Sequence, residues 1–165
     1  MKKLLLSFSI ILAAFQFAQA QTTEVGITGG YLNVSPDGDS DGESGFYAGF
    51  YSEFHLSNTF KFQPGLVYGK AGDTNLMYLP VMLQYYVANT DLHLQAGPQA
   101  TYIFESDGNA EFKDKLGLDL AVGVGYDIFH NIFIEARYGF KIAENSDTFR
   151  SANFNTFIVG LGIGL

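Results

Sequence analysis

The chain has 165 residues, with 17 acidic side chains against nine Lys and Arg, no cysteine and no tryptophan. A net charge of −8 argues against a nucleic-acid binder, which needs a basic face to meet phosphates. Without cysteine there is no disulfide framework, no thiol catalysis and no lipid-anchored lipoprotein.

The first segment reads as an export signal. Met1-Lys2-Lys3 is basic, Leu4 to Phe17 is largely apolar, and Ala18-Gln19-Ala20 supplies the small-x-small pattern of signal peptidase. The apolar run is too short to span a bilayer as a helix, which takes about 20 residues. We expect residues 1–20 to be a cleaved signal peptide and residues 21–165 to form one β-barrel domain. Loss of Lys2 and Lys3 leaves seven basic against 17 acidic side chains.

Beyond Gln21, helical periodicity gives way to segments of about 10–13 residues that alternate apolar and polar, the length and period of membrane-crossing strands. In chain order they are Thr23–Val34, Gly45–Leu56, Thr59–Gly69, Leu76–Val87, Leu92–Glu105, Lys115–Ile128, Ile132–Ile142 and Asn153–Leu165. Short connectors (Ser57-Asn58, Ala88–Asp91, Phe129–Asn131) alternate with longer polar ones (Ser35–Ser44, Lys70–Asn75, Ser106–Asp114, Ala143–Ala152). Outer-membrane barrels alternate in this way, with short periplasmic turns and longer outer loops. Both termini are then expected on the periplasmic side.

The faces decide between a soluble and a membrane barrel. The second strand sets Phe46, Ala48, Phe50, Phe54 and Leu56 against Tyr47, Gly49, Tyr51, Glu53 and His55. The fifth sets Leu92, Leu94, Ala96, Pro98, Ala100, Tyr102 and Phe104 against His93, Gln95, Gly97, Gln99 and Thr101. The polar face is poor in bulk, with Gly26, Gly49, Gly65, Gly97, Gly123, Gly125, Gly139, Gly160 and Gly162. Small residues among a few long charged ones suit a narrow interior, so the broad apolar face points outward to lipid. An open sheet edge in hydrocarbon would leave amides unpaired, so closure is obligatory. The fold class expected is all-β, an eight-stranded antiparallel up-and-down transmembrane β-barrel. Phe46, Tyr68, Tyr102, Phe104 and Phe140 should form one interfacial belt, and Phe54, Phe60, Tyr85 and Tyr126 the other.

Two neighbouring strands carry a family resemblance. Asn75-Leu76-Met77-Tyr78-Leu79-Pro80-Val81-Met82-Leu83-Gln84-Tyr85-Tyr86 resembles the strand motif of the PorT-like outer-membrane β-barrel family, a Leu-x-x-Pro core followed by an apolar run and paired aromatics. Leu94-Gln95-Ala96-Gly97-Pro98-Gln99-Ala100-Thr101-Tyr102 resembles the Ala-Gly-Pro strand that follows it. The resemblance implies an OmpA- or OmpX-like eight-stranded barrel in the outer membrane. It implies no shared activity, since such barrels include structural proteins and secretion accessories.

Three constellations could carry chemistry. Glu53, Lys61, Asp119, Glu135, Arg137 and Lys141 face inward by strand parity, with His55, His93, Gln63, Gln95 and Gln99 among them. Three acids and three bases are expected to pair and plug the lumen rather than to form an ion path. His55-Leu56-Ser57 has the His-x-Ser spacing of an outer-membrane lipid A deacylase, but at the wrong end of the barrel for an outer-leaflet substrate. Asp37, Asp39, Asp41 and Glu43 resemble the opening of a calcium loop, yet the twelfth position falls on Ala48, which cannot ligate. A solvated acidic loop is the expectation.

No catalytic, cofactor-binding or metal residues are therefore assigned. The expected function is a non-catalytic outer-membrane barrel with a structural, secretion-accessory or surface-interaction role. A lipid-modifying enzyme and a narrow channel are the alternatives. Expected partners are outer-membrane lipid and a surface or envelope protein, with no nucleic acid, and the barrel is expected to be a monomer.

Overall fold

Successive side chains of a strand point to opposite faces, so the alternating segments commit one face to a single environment along their whole length. The computed structural model describes residues 23–36, 42–104, 116–141 and 154–165. The signal segment and Asp37, Asp39 and Asp41 of the acidic loop lie outside the described residues.

Eight strands form: β1 (Thr23–Pro36), β2 (Glu43–His55), β3 (Phe60–Ala71), β4 (Thr74–Tyr86), β5 (Leu92–Phe104), β6 (Leu116–Phe129), β7 (Ile132–Lys141) and β8 (Phe154–Gly164). Each pairs antiparallel with the next, and β8 pairs with β1 to close the barrel. Followed once around the sheet, the register runs Thr23, Phe54, Phe62, Leu83, Ala96, Val122, Tyr138, Phe157 and returns to β1 at Asn33, ten residues beyond its start. With about 3.3 Å per residue and about 4.8 Å between strands, that stagger tilts the strands about 40° from the barrel axis.

Strand boundaries differ from the sequence expectation chiefly in one place. Lys70–Asn75 was expected as one of the longer loops. Instead Lys70 pairs with Asn75 and Ala71 with Thr74, leaving Gly72-Asp73 as a two-residue hairpin turn. Gly72 has φ +54°, which L side chains avoid and the tight hairpin turns need. The polar residues that resembled a loop are therefore the ends of two paired strands.

Three prolines sit inside the sheet, each beside a two-residue interruption of the pairing. Ser52-Glu53 faces Gln63-Pro64, Gly65-Leu66 faces Leu79-Pro80, and Val81-Met82 faces Gly97-Pro98. Proline has no N–H to give to the ladder, so β2 to β5 share a diagonal seam with fewer cross-strand bonds. Pro80 of the Asn75–Tyr86 motif and Pro98 of the Ala-Gly-Pro motif both lie on it.

The outer face is apolar and exposed, as lipid requires: Ile27, Phe50, Leu66, Leu79, Leu83, Leu94, Val122, Ile134 and Leu161 all lie on it. Rings flank this band. Phe46, Tyr68, Phe104 and Phe140 are exposed near one rim, and Phe60, Tyr85 and Tyr126 near the other. At the first rim Tyr31 Oη and Ser44 Oγ share a hydrogen bond of 2.7 Å, and Tyr68 Oη donates to Asn75 Oδ1 at 2.7 Å. The phenol tips thus meet polar groups at the level where a bilayer interface favours amphipathic rings.

Candidate functional site in the lumen

The inward face is built from large side chains laid over glycines. A Cβ at Gly26 would run into the Tyr51 ring, at Gly160 into the Tyr47 phenol, at Gly162 into the Phe133 ring and at Gly125 into the His93 ring. The glycine-rich face expected from the sequence is thus one half of a packing scheme whose other half is aromatic. Tyr51 and Phe133 meet edge to face at 5.5 Å between centroids. Tyr86 lies against His93 at 4.9 Å.

Most of the described lumen charges lie between its middle and the end with the short turns; Asp119, three residues into β6, lies toward the other end. Glu135 and Arg137 are both buried, with Arg137 Nη2 donating to Glu135 Oε1 at 3.1 Å. The same carboxylate accepts from Gln95 Nε2 at 3.0 Å. Thr28 Oγ1 stands 3.5 Å from Glu135 Oε1 and donates to Leu161 O at 3.1 Å. Nearer the short turns, Lys61 Nζ meets Glu53 Oε1 at 2.7 Å and lies 4.4 Å over the Tyr86 ring. His55 Nε2 is 3.7 Å from the same Glu53 oxygen. Asp127 accepts from Tyr86 Oη at 3.1 Å and stands 3.5 Å from His93 Nδ1.

These contacts bring together most of the inward set expected from the sequence, with two corrections. First, the described lumen holds acids beyond the expected set, whose Glu53–Lys61 and Glu135–Arg137 pairs both form. Asp119 accepts from Thr101 Oγ1 at 2.7 Å. It stands opposite Lys141 in the β6–β7 register, but the Lys141 side chain is outside the described ones. Glu24 and Asp127 also line the mouth at the short turns. Among the described lumen side chains, Glu24, Glu53, Asp119, Asp127 and Glu135 outnumber Lys61 and Arg137.

Second, the other end of the lumen carries a buried apolar cluster beside Asp119, Thr101 and Thr156. Leu32, Val34, Tyr47, Val67, Ala71, Leu76 and Tyr78 form a buried apolar cluster there, joined by Ile103 and Ile158. Strand parity places Leu32 and Val34 on the face of Gly26, which was the available signal. In β4 no such signal existed, because Leu76, Tyr78 and Met82 point inward while Met77, Leu79, Val81, Leu83 and Tyr85 point outward. A strand apolar on both faces shows no alternation.

Among the described residues, the lumen cavities are small. One cavity, of about 10 Å³, is lined by Val67, Tyr78, Pro80, Gln99, Arg137 and Thr156 among others. Another, of about 20 Å³, lies at the acidic mouth beside Glu24, Glu53, Lys61 and Asp127. Each suits about one water molecule. In planar bilayers the purified protein should therefore show no steady openings. Ion-selective current altered by Glu135→Gln would mean that the charges line a pore.

The His-x-Ser pair serves the turn. Ser57 Oγ accepts the amides of Thr59 at 3.2 Å and Phe60 at 3.0 Å, while His55 approaches Glu53.

A closed eight-stranded sheet with a lipid-matched outside and a side-chain-filled inside defines the class of transmembrane β-barrels. More particularly, the chain belongs to the outer membrane protein beta-barrel domain family, whose model matches residues 4–163. The protein is thus an outer-membrane barrel. Comparison with curated proteins finds no match.

Solved structures share the fold. Neisserial surface protein A is 14% identical over 87% of this chain and 96% of its own, with a TM-score of 0.57. Ail, the attachment invasion locus protein of Yersinia pestis, is 21% identical over 86% and 98%, with a TM-score of 0.52. The outer membrane protein OprG from Pseudomonas aeruginosa is 15% identical over 88% and 97%, with a TM-score of 0.51.

Proposed function

We propose that this protein is a non-catalytic, non-conducting outer-membrane barrel that acts as a rigid membrane platform for an envelope or surface partner. The observation that carries this reading is the filled lumen: among the described residues, ion pairs, ring-on-glycine packing and the apolar cluster surround cavities of about 10 and 20 Å³. A narrow channel would need continuous water-filled space, which these volumes do not provide. The partner would be met by the connections between β1 and β2, β5 and β6, and β7 and β8, which are long in sequence. Cross-linking in intact cells followed by capture of the barrel tests this. Recovery of the barrel cross-linked to lipid alone would sink the platform reading.

The reading includes a processed N-terminus at Gln21, a monomer, and a PorT-like affiliation within the family, supported by the β4 and β5 motifs. It also includes an orientation, with both chain ends in the periplasm. In support, Leu165 N donates to Val25 O at 2.8 Å, which sets the C-terminus beside β1 at the end of the short turns. The chain has no cysteine, so single cysteines report topology cleanly. Asp73→Cys should react with a membrane-impermeant maleimide in intact cells, and Asn89→Cys only after the outer membrane is permeabilised. The reverse pattern would invert the barrel.

A further inference from the structure

The lipid-facing surface is not uniformly convex. Ala48, with one methyl group, pairs with Gly29 on one side and Tyr68 on the other, and Tyr68 pairs with Met77. The larger neighbours Ile27, Phe50, Leu66, Tyr68 and Met77 rise around it and enclose a groove of about 380 Å³. Small-molecule pockets fall in this size range.

A polar lip stands one residue pair beyond the groove, toward the rim with the Gly72-Asp73 turn. Lys70 is exposed there and pairs with Phe46 and Asn75. By strand parity Lys70 shares the outward face of Leu66 and Tyr68. The other cations whose side chains are described, Lys61 and Arg137, are turned into the lumen and paired with carboxylates. Lys70 has no hydrogen-bond or ion-pair partner among the described residues. The Tyr68 phenol bonds Asn75 Oδ1, which leaves the Asn75 amide nitrogen as a second donor at this level. An unpaired ammonium and an amide donor at the interface, above an apolar groove, complement a phosphate whose acyl chain runs down the barrel wall.

We propose that this face holds one phosphorylated glycolipid of the outer leaflet, with its phosphate on Lys70 and Asn75 and one acyl chain in the groove over Ala48. The leaflet follows from the orientation argued above, so the proposal rests on that reading. Ala48, Lys70 and Asn75 lie outside the lumen set, although Thr28 and Val67 back the groove from the inner side.

The test is native mass spectrometry of the folded barrel in non-ionic micelles, titrated with lipid A and, separately, with phosphatidylglycerol. Wild type should retain one lipid A and bind phosphatidylglycerol more weakly. Lys70→Gln removes the charge-assisted contact and Ala48→Phe fills the groove. Each should weaken lipid A binding roughly tenfold, with heat-modifiable gel migration confirming that both variants are folded. No one-to-one complex, equal binding by the variants, or equal binding of phosphatidylglycerol would overturn the site. The Asp73→Cys labelling separates the two readings. If that position is sealed from the outside, the orientation fails and the glycolipid assignment goes with it. If it is labelled and lipid A binding ignores Lys70, the site alone is wrong.

Discussion

Arg137→Ala should destabilise the barrel by about 3–5 kcal/mol, the cost of stranding a buried charge whose partner is removed. Arg137 and Glu135 are 5% and 2% exposed, so bulk solvent does little to screen either. Without the guanidinium, Glu135 would keep the neutral Gln95 amide at 3.0 Å and little else to balance its charge. Urea unfolding in detergent micelles, followed by the shift in gel mobility, measures the loss. Adding Glu135→Gln to Arg137→Ala should recover much of it, because a neutral amide can accept from Gln95 without a counter-charge. If Arg137→Ala unfolds at the wild-type urea concentration, the lumen is wet enough to solvate Glu135 and the sealed interior is wrong.

Gly162→Leu should cost about 3 kcal/mol, the upper end of overpacking penalties, and block closure in much of the population. Gly162 is the register partner of Phe133, and the place its Cβ would take is already filled by the Phe133 ring. That ring cannot simply turn aside, because Tyr51 abuts it at 5.5 Å and itself covers Gly26. Relief must come from the ring: Phe133→Ala combined with Gly162→Leu should fold better than Gly162→Leu alone. Gly164→Ala is the control, since its nearest neighbour beyond the adjacent residues would lie at an ordinary 3.7 Å. The folded fraction, read as heat-modifiable protein on gels, distinguishes the three. Equal folding of Gly162→Leu and Gly164→Ala would show that the lumen yields to added bulk.

How much of the lumen could be read depended on where the two strand faces differed in chemistry. In β7, Ile132, Ile134, Ala136, Tyr138 and Phe140 alternate with Glu135 and Arg137, so parity alone placed the buried pair. In β4 both faces are apolar, and the inward Leu76, Tyr78 and Met82 were invisible. Pairing across strands was harder still. Lys61 and Glu53, eight residues apart across one turn, pair at 2.7 Å, a match that the inward set alone does not specify. Asp119 accepts from the Thr101 hydroxyl, a contact that charge matching alone does not suggest.

By itself the sequence determined the strand count, the strand limits to within a few residues, the lipid-facing set and the need for closure. Those follow from local periodicity and from the rule that no amide stays unpaired in hydrocarbon. Only the tertiary structure decided the ten-residue stagger, the proline seam, the rings laid over Gly26, Gly125, Gly160 and Gly162, the acid excess at one mouth and the apolar cluster at the other end. It alone also set Lys70 above the groove at Ala48. Each of these depends on which residues of different strands stand side by side. That is fixed by register around a closed sheet, a global condition that no single segment contains.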